Sequence, residues 1–267
     1  MSGKVRIGII GGAGWLGGSI AEAILAAGLA DPDDLTLSYR RSQPDRFSAS
    51  HWTQDNQRLA DSSDVLILSV RPQDWGSVPV TMRGKLLISV MAGIPLCALS
   101  ERHATERVVR ALPNAAAEVS RSYTPWIASA GVDAVDRSLV RKIFGACGVE
   151  DELKGESDLD YLTGMSGTGP AFPALLAAAM MGHAIDQGLP ADVARRAVLT
   201  MLIGTGRLLE RRQDCPTEIV SRFLEYRGVT AAGIDEMRAS GFDQAVFNGL
   251  AAAFRKSVSM GDASYDR

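Results

Sequence analysis

The sequence predicts an α/β chain: a doubly wound, mainly parallel sheet over residues 1–160, followed by an all-helical domain over residues 161–267. Three observations carry this. Short apolar runs alternate with helix-period segments through the first half. The first run ends in a glycine-rich turn that opens a helix. After about residue 160 no β-branched run recurs, and Ala, Leu and Met dominate at helical spacing.

Residues 5–10 form a β-branched run stopped by Gly11, and residues 15–27 carry apolar positions at helical period up to Gly28. Further strands are expected at 35–39, 65–70 and 86–90, with polar or helical segments between them. In the second half, helices are expected at 170–187, 190–212, 217–226, 230–240 and 242–259, punctuated by Gly188, Pro216, Gly228 and Gly241. Residues 174–181 are apolar all round, which in so small a domain means burial against another subunit as readily as against its own core, and a dimer at least is expected.

The composition is that of a folded protein: 46% of the 267 residues are hydrophobic and 22% charged. A formal net charge of −3 gives no bulk attraction for nucleic acid or anionic lipid, so neither is expected as a partner. The longest apolar stretch, 171–181, is too short to span a bilayer, and Met1-Ser2-Gly3-Lys4 leads into a run too short for a signal segment. Cys97, Cys147 and Cys215 are few, odd in number and widely spaced, which fits a reducing cytoplasm rather than a disulfide framework. His51, His103 and His183 lack metal-ligand spacing, so no metal is expected.

The chemistry begins at Gly12-x-Gly14-x-x-Gly17. Following a strand and opening a helix, this pattern is the dinucleotide fingerprint of a Rossmann domain. Gly12 is assigned the tight turn, Gly14 the close approach to a pyrophosphate, and Gly17 the packing of helix on strand, with free N–H groups at Trp15 and Leu16. An acidic residue at the end of the second strand would bind a ribose 2′-hydroxyl. Here stands Tyr39-Arg40-Arg41-Ser42, whose guanidiniums suit a 2′-phosphate and favour NADP(H). The tips Ser69-Val70-Arg71-Pro72 and Val90-Met91-Ala92-Gly93 should line the same cleft.

With these residues in view, the chain resembles the pyrroline-5-carboxylate reductases nearly end to end. The marks are Ile7-Gly8-Ile9-Ile10-Gly11-Gly12-Ala13-Gly14, Val70-Arg71-Pro72-Gln73, Ala92-Gly93-Ile94, Arg110-Ala111-Leu112-Pro113-Asn114, Ser166-Gly167-Thr168-Gly169-Pro170-Ala171-Phe172 and Thr230-Ala231-Ala232-Gly233. The resemblance implies a Rossmann domain and a helical dimerisation domain, with dimers often assembled further into rings. It implies NADPH contacts at Gly12, Gly14, Trp15, Leu16, Tyr39, Arg40, Arg41, Asn56, Val70, Arg71, Pro72 and Ala92. Substrate would lie between the strand tips of one subunit and the helical domain of its partner. Gly228 and Val229 would offer N–H groups to its carboxylate, with Arg222 and Glu156 nearby, and the Thr230 hydroxyl would reach the ring nitrogen as the catalytic group. One departure stands out: Glu225-Tyr226-Arg227-Gly228, followed by Val229, replaces the family's usual Ser-Pro-Gly-Gly before the threonine, where Arg227 would offer a charged clamp and Glu225 would oppose an anion.

The implied reaction is reduction of 1-pyrroline-5-carboxylate to L-proline. A protonated imine is already electrophilic, so positioning and one hydroxyl can carry much of the rate. Two bland roles compete: Thr230 as the cap of the following helix, and Ser166 or Thr168 as a cap with Pro170 in the first turn. Asp158 and Asp160 read as solvating the domain junction. The alternatives are a related imine or keto reductase acting on another small substrate, and a non-catalytic NADP(H)-sensing protein.

Overall fold

The computed structural model describes residues 5–212 and 214–265, with side chains described as far as Met260; the reading of residues 1–4 lies outside them. The chain divides into two compact units, one running to Thr168 and resuming at Ala252, the other Gly169–Ala251. The boundary read from the sequence, between 160 and 161, falls inside a helix of the first unit.

The first unit is built on an eight-stranded sheet: β1 (Ile7–Ile10), β2 (Leu35–Ser38), β3 (His51–Thr53), β4 (Val65–Leu68), β5 (Leu86–Ser89), β6 (Val108–Ala111), β7 (Ser122–Ala128) and β8 (Gly148–Glu152), in the order β3-β2-β1-β4-β5-β6-β7-β8. All pairs are parallel except β6 with β7. The four expected strands are β1, β2, β4 and β5; the other four were not anticipated. Strands β1, β4 and β5 are buried throughout because both sheet faces are covered, which is why they read as continuous apolar runs.

Alternation sorts their side chains onto two cores. On one face Ile7, Ile9, Leu37, Ile67 and Ile88 pack with Ile20 and Ile24 of α1 (Trp15–Ala26) and with Ile143 and Phe144 of α4 (Ala134–Cys147). On the other, Ile10, Leu66, Leu68 and Leu87 pack with Leu59 of α2 (Asn56–Ser62) and Leu99 of α3 (Leu96–His103). Each such buried side chain contributes about 1.5–3 kcal/mol. The chain leaves β1 toward β2 on one side and reaches β4 on the other, so a switch point opens at the carboxyl ends of β1 and β4.

Beyond β8 lies α5 (Glu156–Leu162), followed by a π-helical turn over Thr163–Gly167. Ser166 Oγ donates to Leu162 O, and Thr168 Oγ1 to Gly164 O, so both side chains bond back into their own turn. Neither caps the next helix, whose N-cap is Pro170, contrary to the capping expectation. The end of the last helix packs on this turn: Phe254 lies edge-on to Tyr161, and its backbone approaches Gly164 so closely that a Cβ there would sit 2.8 Å from Phe254 N.

The second unit is helical, comprising α6 (Ala171–Asp186), α7 (Ala191–Arg212), α8 (Pro216–Glu225), α9 (Val229–Ala239) and the first part of α10 (Phe242–Tyr265). The junction of α6 and α7 turns at Gly188, in the left-handed region. Of the all-apolar residues 174–181 only Ala177 is buried, while Leu175 is 70% exposed. By length and composition alone, the helical run Glu156–Asp186 is long and apolar enough to cross a membrane, which corrects the shorter measure taken from 171–181.

Candidate active site

The glycine turn closes on β2 from above. Gly11 N donates to Ser38 Oγ and Ala13 N to Ser38 O, fixing the turn over the tip that carries Tyr39, Arg40 and Arg41. The tight turn falls at Gly11, with φ of +84°, rather than at Gly12, and a Cβ on Gly12 would meet Leu37 at 2.8 Å. Gly17 permits the expected close packing: a Cβ there would lie 2.5 Å from Gly11 O. Gly14 is the N-cap of α1 and has no side-chain cap, so the first N–H groups of the helix lack intrahelical partners. Arg46, which the sequence reading missed, donates to Gly14 O at 3.0 Å. No local spacing announces that contact.

Below the turn opens a cavity of about 790 Å³, lined by Gly14, Tyr39, Arg40, Arg41, Asn56, Val70 and Arg71 among others. These seven are all sequence-selected cofactor residues. Tyr39 stands edge-on to Trp52 at 6.3 Å between centroids, and Asn56 is the first residue of α2, after the cap Asp55. The other five lie outside the lining. Gly12 is buried beneath the turn, and Leu16 packs on the core. Trp15 is half exposed with its indole N–H on Glu118, Pro72 starts a 3₁₀ turn, and Ala92 packs with Leu112, Ile127 and Leu159. Ser38, Gln54, Asp74 and Ser77 also line the cavity and were not selected. Asp74 accepts from Arg71 Nε at 2.9 Å and lies 3.7 Å from Arg40 Nη1.

The donor set suits a dinucleotide phosphate. A helix start supplies N–H groups and positive potential, and the lining holds three arginines against a single carboxylate among the described residues. The volume is that of a small-molecule pocket.

The sequence-selected substrate residues fall in two places. Glu156, at the start of α5, accepts from Leu96 N at 2.9 Å and from Arg110 at 2.5 Å. Arg110 is 1% exposed and also donates to Asp160 at 3.1 Å, so Asp160 is an ion-pair partner rather than the solvating residue expected. Arg222, Gly228, Val229 and Thr230 lie in the second unit, all exposed. Arg222 pairs with Asp214 at 3.2 Å. Gly228 is the N-cap of α9, and Thr230 sits one residue inside the helix, which removes the capping role considered for it. Arg227 takes φ of +47°, in the left-handed region.

The comparisons with known proteins follow this division. A family model described as pyrroline-5-carboxylate reductase dimerisation matches residues 156–260, and one described as NADP oxidoreductase, coenzyme F420-dependent, matches 6–93. The pyrroline-5-carboxylate reductase of Synechocystis is 31% identical, covering 97% of this chain and 99% of its own. The chain belongs to the pyrroline-5-carboxylate reductase family. The Arabidopsis thaliana family member is 28% identical over 94% of each chain. The crystal structure of the Plasmodium falciparum pyrroline carboxylate reductase, which has NADP bound, superposes with a TM-score of 0.85 at 26% identity, covering 96% of this chain and 98% of that one.

Proposed function

We propose that this member of the family reduces the cyclic imine 1-pyrroline-5-carboxylate to L-proline, with NADPH as hydride source, as the last step of proline synthesis. The observation that carries the reading is the arginine-lined cavity under the glycine turn, in a chain whose helical half matches the family's dimerisation model. NADPH, when bound, supplies the hydride.

The chain's own residues bind and orient. Gly14, with the N–H groups of Trp15 and Leu16, would face the pyrophosphate over a turn made at Gly11 and seated on Leu37 through Gly12. Tyr39, Arg40, Arg41 and Asn56 hold the phosphorylated adenosine end. Val70, Arg71, Pro72 and Ala92 belong to the strand tips beside it. Gly228 and Val229 present N–H groups of the α9 start to the substrate carboxylate, with Arg222 and Glu156 as outer residues. The Thr230 hydroxyl bonds the ring nitrogen and is the catalytic group. The active species is a homodimer or a larger homo-oligomer in the cytoplasm, with no nucleic-acid or membrane partner. Residues 1–160 form its cofactor domain and 161–267 its dimerisation and substrate domain.

One observation favours a second reading. Arg227 holds a left-handed backbone that costs a non-glycine residue of order 1 kcal/mol, in the loop where the sequence departs from the family. A reshaped loop suits a different small cyclic imine. Purified protein given 1-pyrroline-5-carboxylate should oxidise NADPH, and Thr230→Ala should lower kcat by about 10²-fold. Turnover of other cyclic imines in its place establishes the second reading, and full activity in Thr230→Ala removes the catalytic assignment.

A further inference from the structure

We propose that Asp74 is a specificity-determining residue of the cofactor cavity, tempering its preference for a 2′-phosphorylated adenine nucleotide over one with a free 2′-hydroxyl. The proposal rests on reading the cavity as the NADP(H) site. Asp74 belongs to the 3₁₀ turn Pro72–Ser77 that follows β4, whereas Arg40 follows β2. Its carboxylate bridges the two tips that flank β1, receiving Arg71 Nε at 2.9 Å and standing 3.7 Å from Arg40 Nη1. Among the described residues lining the cavity it is the one carboxylate.

The two arginines are 77% and 70% exposed, so their guanidiniums are open to an incoming ligand. A 2′-phosphate seated on Arg40 competes with Asp74 for the same guanidinium and meets a fixed negative charge a few ångströms away. A 2′-hydroxyl has the opposite need. It donates, and a carboxylate near the ribose is the group that accepts from it in NAD-type sites. Asp74 therefore acts in opposite senses on the two nucleotides, which is how one residue sets a ratio of affinities rather than an affinity.

The test is calorimetric binding of adenosine 2′,5′-bisphosphate and adenosine 5′-monophosphate to the full chain, wild type and Asp74→Asn, with Asp74→Ser as a second variant. Loss of the carboxylate should tighten the bisphosphate by about three- to tenfold at low salt and leave the monophosphate unchanged or weaker. The gain should shrink as salt rises. In steady state the same variants should lower KM for NADPH but not for NADH. An unchanged or reduced bisphosphate-to-monophosphate ratio, with wild type binding both, overturns the role of Asp74 and leaves the cavity assignment intact. Failure of wild type to bind either nucleotide overturns the cavity assignment and the proposal together.

Discussion

His103 lies fully buried in the first unit, its Nδ1 on Val80 O at 2.7 Å and its Nε2 accepting from the Trp75 indole at 2.8 Å. Both contacts require the neutral ring with its proton on Nδ1, since a proton on Nε2 would face the indole N–H. Burial, aided by nearby Arg102, lowers its pKa below the ordinary 6.5. The unfolded chain then binds this proton more readily than the folded one. His103 therefore contributes stability that is fully present above pH 6.5 and is lost as pH falls below it toward the folded value, by at most about 1.4 kcal/mol per pH unit. Urea midpoints measured from pH 7.5 to 5 should fall more steeply for wild type than for His103→Gln; parallel curves would refute the linkage. In the sequence His103 shows only that it lacks metal-ligand spacing with His51 and His183, which does not separate a surface from a core position. Cys147 is a parallel case, its thiol pushed up to about 11 by burial, which makes it inert beside the exposed Cys215.

At the scale of elements, the join of β1 and α1 depends on Gly17, where a Cβ would lie 2.5 Å from Gly11 O. Since backbone, not a flexible side chain, is what it meets, Gly17→Ala should force the helix start off the turn and cost about 1–3 kcal/mol, raising KM for NADPH as well. Gly145, exposed in α4 with nothing within 4 Å of its Cβ position, is the control: Gly145→Ala should stabilise by about 0.5–1 kcal/mol. Equal urea midpoints for the two variants would mean that the close approach is not a constraint. The same contrast explains what could be read in advance. Strands β1, β4 and β5 are apolar runs because the core covers both faces, and β2 alternates Leu35 and Leu37 with Thr36 and Ser38, so all four announce themselves. Strand β8 is the polar edge sequence Gly148-Val149-Glu150-Asp151-Glu152, and β7 contains Pro125, both of which mask a strand. Helix α4 did carry a signal, the Asp133 side chain capping Val135 N and Asp136 N ahead of a periodic apolar face, and it went unused. In the cavity, Arg40, Arg41 and Arg71 were legible because strand tips must converge there. Asp74 was not, since only the 3₁₀ turn brings it to Arg40. Likewise Arg110 and Asn114 come from one recognisable motif, but their contacts, with Glu156 and with Ser166 O, lie about fifty residues away in sequence.

For the whole molecule, the two units differ in how far one chain can satisfy them. The first buries two cores of its own, whereas Gly169–Ala251 buries few apolar side chains, Ala177, Ala194, Val198 and Ala231, all small. Leu175, Ile203 and Phe247 are each at least 64% exposed, an arrangement that a lone soluble unit rarely keeps. A helical unit with so small a core is explained if a second copy supplies the missing half, which agrees with the match to a dimerisation model over 156–260. Burying one leucine contributes about 1.5–3 kcal/mol, and a symmetric interface counts every change twice. Leu175→Asp and Ile203→Asp should therefore shift the purified protein to smaller species in light scattering at micromolar concentration, the more so combined. The cavity under the glycine turn is built wholly from the first unit, so the smaller species should still bind adenosine 2′,5′-bisphosphate as wild type does. Imine reduction should fall at the same time. Unchanged mass in the double variant would show that these faces are not the interface, and loss of nucleotide binding along with mass would show that the first unit depends on assembly for its fold.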